Sequence, residues 1–344
     1  VNWDPASKNR DRITKRRQRR LREELLDAGI DLPATDGLRR SLIEELDYAR
    51  YPPVHEGVLH SYGAVLVDSS LDCLELDGTF STSAVTDEAV LRRLADGRHS
   101  FVLRHAESVG LLLLLDSPHD REAELVRLRR RTNQPSTTIV QRRSNGNVRV
   151  VGPNGLFIWD GARWWTKPYA APFARAVLDV VPNAPSDTLH SLLDFCVHTM
   201  SPADAGACLV WALDADDIAD VDGLNPSRPP TPIPHLSFDQ FAKRAAIRQL
   251  LTQVDGAAIV DRAGQLIAIE AHLRSSVQSH DNVRRDPSRG TRHAAARRYS
   301  FDHRARIVFV ISRDGPVTVY FGGEEIAAIQ TRTEDHDSGP DADA

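Results

Sequence analysis

The stretch VDGAAIVDRAGQLIAIEAHL, residues 254–273, holds two apolar runs of strand length around a turn from Asp261 to Gly264. Alternation on both sides of a Gly-containing turn predicts a hairpin. The stretch before it, FDQFAKRAAIRQLLTQ (238–253), has helical periodicity, with Phe238, Phe241, Ala245 and Leu250 available to face a sheet. Ser237 and Gln240 are spaced as a capping box for that helix. Asp255-Gly256-Ala257 therefore sits where a helix hands over to a buried strand. The same three letters recur as Asp160-Gly161-Ala162, but there they mark a hairpin turn with no preceding helix.

Downstream, SRGTRHAAARRYS (288–300) sets Gly290, Thr291, Arg292 and His293 before a run of alanines and arginines, which are strong helix formers. Thr291 is a plausible N-cap. A helix start carries free N–H donors and partial positive charge, which suits a phosphate. A capped surface helix with a basic first turn needs the same residues, so this stretch alone leaves both readings open. RIVFVIS (306–312), VTVYF (317–321) and EEIAAI (324–329) then predict a closing meander. Upstream, SDTLHSLLDFCVHTM (186–200) predicts a helix, AGACLVWAL (205–213) a buried strand, and NPSRPPTPIPH (225–235) a proline-rich loop excluded from helix and sheet.

The N-terminal half has a different texture. Two amphipathic helices end before Pro52-Pro53, and the first is densely basic over residues 8–22. That arm is expected to be a solvated helix face, with contact to nucleic acid or anionic lipid as the alternative, because no aromatic residue is interleaved for base stacking. From 57 to 150, GAVLV, SFVLRH and GLLLLLD predict strands, while TDEAVLRRLADG and HDREAELVRLRRR predict helices. Asn145-Gly146, Asn154-Gly155 and Asp160-Gly161 then mark hairpin turns. Trp164 and Trp165, just after a turn, are expected to cover a sheet edge or core rather than stack on a base.

The chain has 344 residues with a formal charge of −5, enough for two domains. Cys73, Cys196 and Cys208 have no paired spacing, which argues against a disulfide framework or thiolate metal site. His99, His105, His272, His280 and His303 lack metal-type spacing and are expected to be ordinary histidines. No apolar run approaches the roughly 20 residues of a membrane span, and a cytoplasmic protein without a secretory leader is expected. The acidic stretch 329–344 is expected to be a disordered tail.

Three ordered blocks, QLLTQVDGAAIVDRAGQLIAI, RGTRHAAARRYS and RIVFVISRDGPVTVYF, resemble the DGA motif, the GTRHR motif and the final strand pair of the diadenylate cyclase domain. That domain is also the nucleotide-binding part of DNA integrity scanning proteins. LLDFCVHTMSPADAGACLVWA resembles its first helix and strand, so the likeness covers about 165–328. The resemblance implies an α/β domain with a central mixed sheet flanked by helices, here preceded by a smaller α/β domain and N-terminal helices. The expected segments are a basic arm (1–52), a sensor or regulatory domain (53–150), the nucleotide-binding domain (151–328) and the tail. It also implies condensation of two ATP molecules into the second messenger cyclic di-AMP with release of pyrophosphate, Mg²⁺ or Mn²⁺ as cofactor, and two protomers facing each other.

Carried onto this chain, the resemblance makes Asp255 a metal ligand or activator of the ribose 3′-hydroxyl. Gly256 and Ala257 then admit the nucleotide, Gly290, Thr291, Arg292 and His293 hold the triphosphate, and Ser312 contacts substrate. Two departures bear on turnover. Ala294 replaces the second arginine of the GTRHR pattern, and Arg313 stands where the family has the first of two acids, leaving Asp314. Arg284, Arg285 and Arg289 are the nearby cations that could compensate. Rival readings are a nucleotide-binding module without synthesis, and a nucleic-acid-binding protein acting through residues 8–22.

Overall fold

The computed structural model describes residues 5–30, 32–33, 35–52, 59–68, 80–105, 110–132, 134–283 and 289–330, with side chains from residue 14 onward. It divides into two compact units, Val1–Pro168 and Tyr169–Ala344. The boundary falls later than the expected break at 150/151, because the hairpins predicted around Asn154 and Asp160 continue the N-terminal sheet instead of opening the second domain. Cys73, Arg284, Arg285 and the tail from 331 lie outside the described residues.

In the first unit, α1 (Pro5–Asp27) and α2 (Asp36–Arg50) precede β1 (Tyr62–Val67), β2 (Phe80–Ala84), α3 (Glu88–Leu94), β3 (Ser100–His105), β4 (Leu111–Leu115) and α4 (Glu122–Arg131). The hairpin strands β5 (Thr138–Arg142), β6 (Val148–Val151), β7 (Gly155–Trp159) and β8 (Trp164–Pro168) follow. One eight-stranded sheet results, in the order β2-β4-β3-β1-β5-β6-β7-β8, with β1 and β3 parallel. The N-terminal helices are not a separate arm. Leu21 and Leu25 of α1 and Leu38, Leu42 and Leu46 of α2 are buried in one cluster with Ala64, Leu66, Val102 and Val140 of the sheet. Trp164 on the edge strand packs partly buried against that cluster, 5.6 Å from Trp159.

A charged cluster lies inside this unit. The Glu45 carboxylate, fully buried, accepts from Arg92 Nε at 3.0 Å, from Arg104 Nε at 2.8 Å and from the Tyr62 hydroxyl. Burial alone would raise the Glu45 pKa, but the hydrogen bonds and charges of Arg92 and Arg104 outweigh it and hold the carboxyl below its ordinary value.

In the second unit, α5 (Ala171–Val180) and α6 (Ser186–Asp194) lead through a π-helical turn (Phe195–Met200) into β9 (Ala207–Ala212). Next come β10 (Thr231–Ser237), α7 (Phe241–Leu251), β11 (Ala257–Val260), β12 (Gln265–Ala271), α8 (Val277–Asn282) and α9 (Thr291–Asp302). The meander β13 (Arg306–Ile311), β14 (Val317–Phe321) and β15 (Glu324–Ile329) closes the unit. The seven-stranded sheet runs β10-β12-β11-β9-β13-β14-β15, with β9 and β11 parallel and its other pairs antiparallel. Strand alternation splits its side chains between two cores. Leu209, Trp211, Val260, Phe309 and Val319 join one cluster with α6 and α7, whereas Cys208, Val210, Ile259, Val308 and Tyr320 join another with α9.

Three local expectations fail. Residues 231–235 of the proline-rich stretch form part of β10, because β10 is an edge strand, where missing N–H donors and a register shift between Pro232 and Leu236 are tolerated. The capping box at Ser237 does not form. The Ser237 hydroxyl bonds Asp239 instead, α7 starts at Phe241, and its buried positions are Arg244, Ile247 and Leu251 rather than Ala245. Thr291 is the first helical residue of α9, and the N-cap is Gly290, which offers no side-chain acceptor.

Glu45→Gln removes the buried charge shared by the guanidinium groups of buried Arg104 and half-buried Arg92 and is expected to cost about 3 kcal/mol in urea unfolding of the first unit. In the wild type this contribution is present above the ordinary glutamate range and is lost as pH falls through the depressed folded value.

Candidate functional site

A cavity of about 930 Å³ opens where the start of β11, the end of β12, the start of α9 and the β13–β14 turn converge. Its lining brings together seven of the eight residues singled out from the sequence: Gly256, Ala257, Gly290, Thr291, Arg292, His293 and Ser312. Asp255 does not line it. It is exposed, one residue ahead of the lining.

One wall depends on Gly256. Its φ is +91°, a region that L side chains rarely adopt, and an added Cβ would lie 2.9 Å from the Glu270 carbonyl carbon and 3.0 Å from the Ala271 oxygen. The strand backbones meet there because β12 is irregular. Glu270 itself has φ +60°, and the pairing with β11 shifts register between Ala257 and Ile259.

The opposite wall is the first turn of α9. With no side-chain cap, its first amides have no acceptor from the N-cap residue, and residues Gly290 to His293 line the cavity. Gly290 has an ordinary φ of −66°, and open space surrounds its missing side chain. The Arg292 guanidinium lies over Gly206, just before β9, where an added Cβ would meet Nη1 at 2.1 Å.

His293 anchors a row of polar groups. Arg289 Nη1 donates to Thr318 Oγ1 at 3.0 Å and over 3.4 Å to the Tyr320 hydroxyl, while Nη2 pairs with Glu325 at 2.8 Å. Tyr320 Oη lies 3.0 Å from His293 Nδ1, and His293 Nε2 lies 3.0 Å from Ser312 Oγ. A guanidinium only donates, so the Tyr320 oxygen accepts from Arg289. With Nε2 protonated and Tyr320 donating to Nδ1, the imidazole would donate to Ser312 and leave its hydroxyl proton for a ligand. Burial pushes the Tyr320 hydroxyl above its ordinary range, which keeps it a donor.

Tyr320, Thr318 and Gly206 escaped the sequence reading. The alternation of VTVYF does place Thr318 and Tyr320 on one strand face, but nothing in the sequence says that this face meets α9. Cys208 also lines the cavity, and burial pushes its thiol up to about 12, so it contributes bulk rather than nucleophilicity at neutral pH. Ala295, not Ala294, lines the cavity, and Arg313 and Asp314 are exposed on the β13–β14 turn that borders it. Of the three nearby cations, Arg289 reaches the site.

Residues 196–325 match the family described as DisA bacterial checkpoint controller nucleotide-binding, and residues 19–168 match the probable sensor domain DACNK. Among solved structures, a double-cysteine mutant of DacA from Staphylococcus aureus aligns at 20% identity over 45% of this chain and 85% of that one, with a TM-score of 0.26. A hypothetical membrane-spanning protein from Bacillus cereus aligns at 16% identity over 45% and 77%, with a TM-score of 0.30. No curated protein matches the chain. The C-terminal unit belongs to the diadenylate cyclase domain family. Among the described residues, no helix is long and apolar enough to cross a membrane.

Gly256→Ala places a methyl group against the β12 backbone at a positive φ. It is expected to lower the stability of the second unit by about 1–3 kcal/mol, read as a fall in thermal midpoint.

Proposed function

We propose that the chain is a diadenylate cyclase that binds one ATP in this cavity and joins it to the ATP of a facing copy. The observation that carries the proposal is the convergence of an uncapped helix start, a glycine-lined strand start and a Ser312 bonded to His293 on one cavity of nucleotide size. The α9 amides and Arg292 receive the triphosphate, where partial and full positive charge oppose its negative charge. Ser312 donates to a phosphate oxygen through the proton that His293 leaves it. Gly256 and Ala257, with no bulk beyond a methyl group, let the nucleoside lie against the strand.

In the reaction the 3′-oxygen of one ATP attacks the α-phosphorus of the other. A 3′-O–P bond forms, the bond from that phosphorus to the β-phosphate bridging oxygen breaks, and pyrophosphate departs; the reciprocal step closes the ring. In-line placement of the two nucleotides supplies much of the acceleration.

We assign Asp255, exposed one residue ahead of the lining, the activation of the partner nucleotide's 3′-hydroxyl. The residues present also fit Mg²⁺ or Mn²⁺. Among the described residues no cluster of three or more acidic, histidine or cysteine side chains forms a protein cage, and such ions are commonly held by one or two carboxylates together with substrate phosphates and water. Asp255 would be that carboxylate, and the ion would neutralise charge on the phosphates.

Ala294 and the exposed Arg313 favour a second reading, nucleotide binding without turnover. Incubation of the pure protein with ATP and Mg²⁺ or Mn²⁺ separates the two. The proposal expects cyclic di-AMP by mass spectrometry and its loss in Asp255→Asn, whereas an ATP-dependent thermal shift without product favours the second reading. Tyr320→Phe breaks the row at His293 and is expected to weaken ATP binding by roughly 5–10-fold, about the worth of one polar hydrogen bond, with the fold intact by circular dichroism.

A further inference from the structure

The basic stretch of α1 has no role in the nucleotide site, and the structure shows what the sequence could not. Residues 8–22 contain nine basic residues against the single acid Asp11, and the helix backbone runs through all of them. It is held in place rather than left as an arm, since Leu21 and Leu25 are buried against α2. A second element then adds to the charge. Arg39 and Arg40 of α2 join Arg19 and Arg22 of α1 around a hollow of about 360 Å³, with Asp36 the one acid in its lining. On the other flank of α1, Arg16, Arg17 and Arg20 line a second hollow with Arg50 and Glu24.

The acids that line these hollows are already engaged, as is the neighbouring Asp47. Asp47 pairs with Arg17, Glu24 with Arg50 at 2.5 Å, and Asp36 with Arg39 at 3.0 Å. Among the described residues, Arg16, Arg20, Arg22 and Arg40 are exposed and have no carboxylate within ion-pair distance. The basic stretch extends about 22 Å along the helix axis.

We propose that this surface of α1 and α2 binds the phosphate backbone of double-stranded nucleic acid without reading its sequence. Charge complementarity selects a polyanion, and the shape and composition select the duplex. A rigid row of cations on two flanks of one helix matches a rod carrying a negative charge every 1.7 Å or so of its axis. Single strands are disfavoured because they need aromatic platforms. The one aromatic residue in these linings, Tyr51, has the Arg17 and Arg50 guanidinium groups over its ring at 4.7 and 5.6 Å. An anionic membrane is disfavoured because an interfacial helix needs an exposed apolar face. In α1 that face is spent on the core, and among its described side chains Leu26 is the one large apolar group left exposed.

The test uses the full chain without ATP, so its outcome is independent of the nucleotide reading. Fluorescence anisotropy with a short duplex of random sequence is measured across a salt series, beside sedimentation with phosphatidylserine-rich vesicles. Duplex binding should weaken linearly in log–log form as salt rises. The triple variant Arg20→Gln, Arg22→Gln, Arg40→Gln should bind at least about tenfold more weakly, with a slope smaller by about three, while Arg228→Gln in the second unit leaves binding unchanged. All three mutated side chains are exposed, and an unaltered melting curve confirms that the fold is kept. Absence of salt-sensitive duplex binding, equal binding by the triple variant, or capture by vesicles alone overturns the proposal.

Discussion

The close approach of the Gly256 backbone to Glu270 and Ala271 is the constraint on which the site rests. At 2.9 Å from a carbonyl carbon, a Cβ has no room, and φ +91° penalises any L side chain independently. The start of β11 and the end of β12 meet there and line one cavity with the start of α9. A bulkier residue would push the strand start away from β12 and displace that wall. The irregular register of β12 and the left-handed Glu270 are the local accommodation of this contact.

The rest of the site sorts by polarity. The start of α9 and Arg292 supply positive charge, while the row from Arg289 through Tyr320 and His293 reaches Ser312. Such a row is anchored at its far end by the ion pair to Glu325, which keeps Arg289 from collapsing toward the solvent. Arg289 thereby brings a cation to a cavity in which position 294 is alanine, arriving from the segment before α9 rather than from the helix itself.

Much of this was legible in residue order. Apolar runs of strand length gave β9, β11, β12 and the closing meander, and helix formers after Gly290 gave α9, because these elements are buried in ways that local composition records. What pattern could not record was context. Edge position lets prolines into β10, and a competing bond from Ser237 to Asp239 cancels the capping box. The packing of α1 and α2 onto the N-terminal sheet turns an apparent arm into part of a domain. Tyr320 is the clearest case. Its apolar neighbours mark it as core, and its role emerges only because β14 and α9, far apart in sequence, place its hydroxyl 3.0 Å from His293.

The central claim is spatial, and a crystal structure with a non-hydrolysable ATP analogue and Mg²⁺ tests it most directly. The account predicts the triphosphate within hydrogen-bond reach of the Thr291, Arg292 and His293 amides and of Ser312, with the ribose against Gly256 and Ala257. Nucleotide density outside this cavity, or a phosphate chain that leaves the start of α9 untouched, would contradict it.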